Sequence, residues 1–458
     1  MKRSIIFIAL ACVVLNAFAG GGKDKRPALT YLAWNLGASE DDSLERRMLA
    51  AFQAAHPDVN LVILEVPSNP DGTSGSYESY INTLAARQSL PDVFMYTSIP
   101  DATAKGWTKD VSSYTQGDKD FANVNQVLRE NARINGRVYG IPSAVHFYGL
   151  GVNLSIFEEL NVEPLGFSYT LDELRTKIAQ VTTNKYKGID NFSIEDWGPA
   201  ILDTTLGFAT FDGKGYNFSS AAFASAIDMY RNIVTRGQTG NQGLVDPASW
   251  LPPGPHWAWG EGFIAFQYEA SWAVQTFVSG ERPYKADLLP LPGQKVVLVP
   301  DFIFIGAQTQ SPDLAYELAR WMTYGEAGQK KRVELARAGN FIWNGVPLSP
   351  GAIPEVDNFF LGGYKQLPSF TKIYQMLQQH PENAILEGFK VVPGFNRSRH
   401  DADTGVLGMA YGRRKSLTMG ELINAIIRGD FQLADYASEM DRIANSEYRT
   451  SQALLQDK

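Results

Sequence analysis

The alternation of strand and helix at the start of the chain constrains its fold more than any other feature. Residues 29–34 alternate as a strand, and Asp42-Ser43-Leu44-Glu45 opens a helix to about 56 with Leu44, Met48, Leu49 and Phe52 on one apolar face. A second extended run at 59–66, a turn-rich loop and a second helix at 77–88 follow, and a third strand at 92–96 is entered after Pro91. Strand, helix and strand in that rhythm make crossover units on a mainly parallel sheet. Ligands of such sheets sit beyond the carboxyl ends of the strands. Trp34-Asn35 and Tyr96-Thr97 lie at two of those ends.

At 458 residues the chain is too long for one ordinary core. Its 44% hydrophobic and 20% charged content suits a soluble globular protein, and a formal net charge of -8 without a basic stretch argues against nucleic acid as a partner. Residues 1–19 read as an export leader: Lys2 and Arg3, an apolar run at 5–15, then a small-x-small site at Ala17-Phe18-Ala19. The only cysteine, Cys12, falls inside that run. It reads as a spare apolar residue of the leader, with a lipid anchor at Cys12 as the less favoured alternative. Cleavage at Ala19 leaves no thiol, so disulfides and thiol catalysis are both excluded from the mature chain.

The middle of the chain carries a denser signature. Asn135-Gly136 suits a tight hairpin. The extended run at 138–153 is broken by Pro142, which removes a ladder donor, and by Gly149-Leu150-Gly151; it reads as two short strands with His146 and Tyr148 between them. Thr170-Leu171-Asp172-Glu173 is a capping box for the next helix. Further on, 263–267 is a strand leading to Trp272, 288–300 is extended, and 302–305 is a strand. Ser311-Pro312 starts a helix with Ser311 as its cap. The last hundred residues read as helices at 370–379, about 399–409, 418–428 and 431–446.

The order Asn135-Gly136, Tyr139-Gly140, Pro142, then Gly149, Asn153, Phe157, Pro164 and Thr170-x-x-Glu173-Leu174 resembles the extracellular solute-binding proteins of bacterial ABC importers. The nearer likeness is to their carbohydrate-binding branch, the maltodextrin-binding-protein-like one. Leu90-Pro91-Asp92-Val93-Phe94, Gly262-Phe263-Ile264-Ala265-Phe266 before Trp272, Leu289-Pro290-Leu291-Pro292-Gly293 and Ser311-Pro312-x-x-Ala315 continue it in the family's order. The resemblance implies an α/β fold of periplasmic-binding-protein type II (Venus-flytrap), two lobes each with a mainly parallel sheet flanked by helices, joined by crossovers. The lobes are expected at 27–143 plus 301–345 and at 144–300 plus 346–458.

It also implies a sugar or oligosaccharide captured between the lobes and handed to a membrane permease, by a periplasmic or extracellular monomer with no cofactor. A sugar presents an apolar C–H face and a rim of hydroxyls, so its site wants aromatic plates and hydrogen-bonding groups. By motif order the candidates are Trp34, Asn35, Tyr96, His146, Trp197, Trp272 and Trp343, with Arg399 and His400 from Asn396-Arg397-Ser398-Arg399-His400-Asp401. His146 stands where the maltodextrin branch has a carboxylate, so that ligand is not carried over.

Two other readings stay open. The same fold can serve a polyol, a polyamine or an amino-acid derivative, or the chain can be a secreted carbohydrate-active enzyme. No zinc motif, phosphate loop or nucleophile elbow supports an enzyme, and no carboxylate pair stands out.

Overall fold

The computed structural model describes residues 26–458 except 38–41, 69–74, 255, 344 and 411. The leader at 1–19 and Cys12 lie outside the described residues. Strands β1 (Ala28–Leu32), β2 (Asn60–Ile63) and β3 (Val93–Tyr96) are parallel neighbours, with β1 between the other two. They are spaced by the helices Leu44–Ala55 and Tyr77–Ala86, whose caps Ser43 and Ser76 accept from Arg46 N and Ser79 N. Strands β4 (Arg133–Ile134) and β5 (Arg137–Val138) form the expected hairpin, with Asn135 at φ 49° and Gly136 at φ 82°.

The next run departs from expectation. Strand β6 is one unbroken strand, Ile141–Asn153, not two. Pro142 is tolerated because it sits at the second residue, opposite Phe302, where the partner strand shifts register between Asp301 and Phe302. Strands β7 (Lys187–Asp190), β8 (Ile264–Ala270) and β9 (Ala286–Leu289) follow, then β10 (Val296–Ile305), also a single strand through residues read as an extended segment and a separate strand. Strand β11 (Ala384–Leu386) completes a nine-stranded sheet of order β2-β1-β3-β10-β6-β8-β7, with β11 on β10 and β9 on β6. Its two ends hold the parallel pairs β2-β1-β3 and β7-β8. Between them β6 and β10 run antiparallel through both halves, so the hydrogen-bonded path never breaks.

Two large apolar clusters flank that ribbon. One gathers Leu29, Leu49, Phe52, Phe94, Phe147 and Phe304 around the β2-β1-β3 end, and the other gathers Phe157, Ile178, Trp197, Phe223, Phe266 and Ile426 around β7-β8. The helices Pro354–Gly363 and Pro368–Gln379, expected with the second lobe, bury Phe360, Tyr364, Phe370 and Tyr374 in the first cluster.

Two local expectations fail. Ser311 makes no side-chain cap; its own N–H donates to Thr309 Oγ1 at 3.2 Å. The helix expected at about 399–409 is a π-helical turn, Arg397–Asp401, followed by an antiparallel hairpin of β12 (Asp403–Ala410) and β13 (Arg413–Thr418). Gly405 and Gly412 at φ 70° and 72° need backbone that a helix cannot supply.

Candidate functional site

The ends of β1 and β3, the middle of β6 and β10, and the loops after β8 and β11 converge on one cleft of about 810 Å³. Its position follows from strand alternation. Met95 and Thr97 line it from the end of β3, while Tyr96 between them points to the opposite face. There Tyr96 is 2% exposed, accepts from Lys105 Nζ at 2.9 Å and packs edge-on to Trp107. Tyr96 therefore does not reach the cleft.

Trp34 and Asn35 follow β1 into it. The half-buried Trp34 ring rests edge-on against Tyr77 at 5.4 Å, and Lys390 Nζ lies 5.7 Å from its centroid. Trp272, on the turn after β8, is 37% exposed and stands perpendicular to both His146 and Tyr148. Trp343 lines the cleft from the loop after the helix Glu326–Gly339, its carbonyl accepting from Tyr364 Oη at 2.9 Å. Phe341 and Phe389 add further rings.

His146 sits on β6 between these plates. Its Nδ1 is 3.3 Å from Ser271 Oγ, which already accepts from Phe147 N at 3.1 Å. A hydroxyl that accepts there has its proton free for Nδ1, which leaves Nε2–H as a donor. Burial pushes the imidazole down to about 4, opposed by the Asp301 carboxylate and reinforced by Lys390. The ring is neutral at pH 7.

The charged groups of the cleft are paired. Lys390 donates to Asp301 Oδ1, both almost buried. Arg332 grips Glu45 with two nitrogens and gives Nη2 to Met322 O at 2.8 Å. Asp42 is held by Arg47, whose Nε donates to Oδ1 at 2.6 Å. Those are the three acids among the described residues of the lining. Sequence reasoning missed Asp301, Lys390 and Arg332. A lone acid after Pro300 in a ten-residue apolar strand was a usable signal for Asp301, but its partner Lys390 lies 89 residues on and nothing local marks it.

Three other candidates are elsewhere. Trp197 is 0% exposed in the second core, its Nε1 donating to Phe192 O at 2.9 Å. The helix that carries it, Ile194–Leu202, turns its indole inward against Phe192 and Tyr268. Arg399 is 3% exposed and tied to Asp196 at 2.6 Å, so it is a core ion pair. His400 is outside the lining and meets Phe395 at 5.8 Å. Near them a group of buried polar atoms has no hydrogen-bond partner among the described residues: Glu195 Oε2, Tyr216 Oη, Tyr268 Oη, Glu387 Oε2 and Ser398 Oγ. Burial pushes Glu195 and Glu387 each up to about 7. No cluster of three or more metal-ligating side chains occurs among the described residues, and no described helix is long and apolar enough to cross a membrane.

The profile of bacterial extracellular solute-binding proteins matches residues 37–329. No curated protein sequence matches the chain. Among solved structures, the fold is similar to an ABC substrate-binding protein of Listeria monocytogenes in complex with cycloalternan, with TM-score 0.69 and 17% identity over 92% of this chain and 98% of that one. It is also similar to the sugar-binding protein MalE of Xanthomonas citri, with TM-score 0.66 and 14% identity over 94% and 100%. A third likeness is to the cyclic alpha-maltosyl-1,6-maltose binding protein of Arthrobacter globiformis, with TM-score 0.64 and 15% identity over 94% and 100%.

Proposed function

The chain belongs to the bacterial extracellular solute-binding proteins, and from that premise we propose that it captures a sugar or oligosaccharide in this cleft for an ABC-importer permease. Three tryptophans around a cleft whose acids are all neutralised carry this reading. Trp34, Trp272 and Trp343 supply plates for apolar sugar faces, each covering some tens of Å² and contributing about 1 kcal/mol. Asn35, Thr97, His146 and the spare donors of Lys390 and Arg332 supply the rim, where an unmatched hydroxyl costs about 1–3 kcal/mol and so decides selectivity. The volume, toward the upper end of the roughly 300–1,000 Å³ usual for ligand sites, favours more than one sugar ring. Three similar structures are of proteins whose names or ligands are sugars.

The paired acids also weigh against the rivals. A polyamine needs free carboxylates, and Asp42, Glu45 and Asp301 are each occupied by a cation. A glycosidase needs two carboxyl groups facing each other across a bond. Here each is turned to its own cation, which supports binding without turnover.

We assign the first lobe to 27–143, 301–345 and the two helices of 354–379, and the second lobe to the remainder, with 1–19 as an export leader and a monomer in the periplasm or outside the cell. Closure occurs about β6 and β10, driven by a ligand that binds the closed form more tightly than the open one. A thermal-shift screen with mono- and oligosaccharides tests the ligand. An oligosaccharide should raise the melting temperature and compact the particle in small-angle scattering. A rise with polyamines alone, or turnover of labelled oligosaccharides, overturns the reading.

A further inference from the structure

The β12–β13 hairpin stands outside the nine-stranded sheet as a two-stranded sheet of its own. Its inner face is anchored: Thr404 Oγ1 donates to Leu417 O at 2.7 Å, Met419 N donates to Ala402 O at 2.8 Å, and a Cβ on Gly408 would meet Leu417 Cδ1 at 2.6 Å. Leu417 and the second core cover the inner face of β12, with Val406 and Ala410 packed against them, so its alternate residues face out. Leu407 and Met409 are 60% and 58% exposed, and the register places Leu407 across from Ser416 and Met409 across from Arg414 on the same outer face. Two large exposed aliphatics side by side are not needed for the fold, because Leu417, Met419 and Thr404 already close it.

The charge of the hairpin reverses that of the chain. Residues 404–418 contain three cations and no acid, in a protein of net charge -8. Lys415 is engaged by Glu421 at 2.8 Å. Arg413 and Arg414, exposed next to the turn at Gly412, hold no ion pair among the described residues. Long arginine side chains can lie over aliphatic neighbours while their guanidinium groups reach a phosphate layer. An exposed aliphatic pair with Arg414 across from Met409 and Arg413 next to the turn matches an anionic phospholipid surface, with phosphates outside and acyl chain beneath. A protein partner would have to offer an acidic groove shaped to the hairpin, whereas a lipid layer deforms around it.

We propose that the tip of the β12–β13 hairpin docks the protein on anionic phospholipid headgroups, a contact separate from the ligand cleft and independent of which solute the cleft takes. The full chain is floated with phosphatidylcholine vesicles and with vesicles containing phosphatidylglycerol, alongside R413Q/R414Q and L407S/M409S. All four residues are exposed, so the variants should keep the melting temperature of the parent, which is checked first. The parent should bind the phosphatidylglycerol vesicles and not the neutral ones, with retention falling as salt rises. R413Q/R414Q should weaken that binding by at least about tenfold, as two lost cations near such a surface imply. L407S/M409S should weaken what remains at high salt. Absence of binding to the anionic vesicles overturns the proposal, as does binding that both variants retain in full. Loss in these variants of capture by detergent-solubilised permease, with no vesicle binding by the parent, would assign the hairpin to a protein partner and overturn it equally.

Discussion

In the cleft, Asp301 meets Lys390, Glu45 meets Arg332 and Asp42 meets Arg47. In the second core, behind Trp272 and Tyr148, Glu195 and Glu387 each keep a buried oxygen without a partner, alongside the hydroxyls of Tyr268 and Ser398. The cleft holds its charges by pairing them; the second core pairs Arg399 with Asp196 but also buries Glu195 and Glu387, whose carboxyls burial raises to about 7. The first arrangement fails when one partner is removed. The two raised carboxyls of the second respond to pH. A ligand in the cleft would meet a preset rim, with a proton-dependent wall behind Trp272 and Tyr148.

The largest effect should come from breaking a pair. Lys390→Met leaves Asp301 buried alone, and the unfolding free energy of the empty protein should fall by about 3–5 kcal/mol in denaturant titration. Adding Asp301→Leu should recover most of that loss; no recovery would show that Lys390 acts through its packing on Trp34 instead.

Next comes the pH response of the second core. Glu387 is raised to about 7 in the folded chain from an ordinary 4.5, so the native state binds more protons than the unfolded chain between those values. Its contribution is present below about 4.5 and is lost as pH rises through 7, on the order of 1–3 kcal/mol. Glu387→Gln should flatten the decline in melting temperature between pH 5 and about 8, and an unchanged slope would remove Glu387 from the account. His146 has the opposite sign. Its folded value near 4 lies below 6.5, so its contribution is present above 6.5 and is lost as pH falls toward 4. His146→Gln should therefore flatten the acid side alone, and should weaken ligand binding while the midpoint of the empty protein at pH 7 stays near that of the parent.

A smaller change separates plate from core. Trp272→Ala should weaken oligosaccharide binding by about 1–2 kcal/mol in calorimetry with little loss of stability, because the ring is partly exposed. The smallest is Tyr96→Phe, which removes the Lys105 contact on the far face and should change ligand affinity by less than about 0.5 kcal/mol. A large loss of affinity there would mean that β3 is read from the wrong side.

The layered fold was legible because periodicity and caps are local. Ser43 and Thr170 cap the helices whose starts their surroundings marked. Trp34 and Trp272 were placed by motif order, which fixes where a residue stands along the chain. Motif order does not fix which way it points. Tyr96 and Trp197 illustrate the gap: one residue of strand alternation turns Tyr96 away, and one helix face buries Trp197. Arg399 carried a strong local sign, a cluster of polar residues, yet its partner Asp196 is 203 residues away. The hairpin at 403–418 replaces the helix expected at about 399–409: Leu407 and Met409 stand two residues apart, which is strand spacing, and Gly405, Gly408 and Gly412 punctuate the segment.

Strand β10 covers the open edge of β3, and its Phe304 pairs with Phe94 far upstream. Until Ile305 has been made, β3 has an open edge, and the first core waits longer still for Phe360, Phe370 and Tyr374. Non-local pairing of this kind slows folding. For a chain of an extracellular family, late closure of this kind lengthens the interval in which the polypeptide is still without its binding cleft.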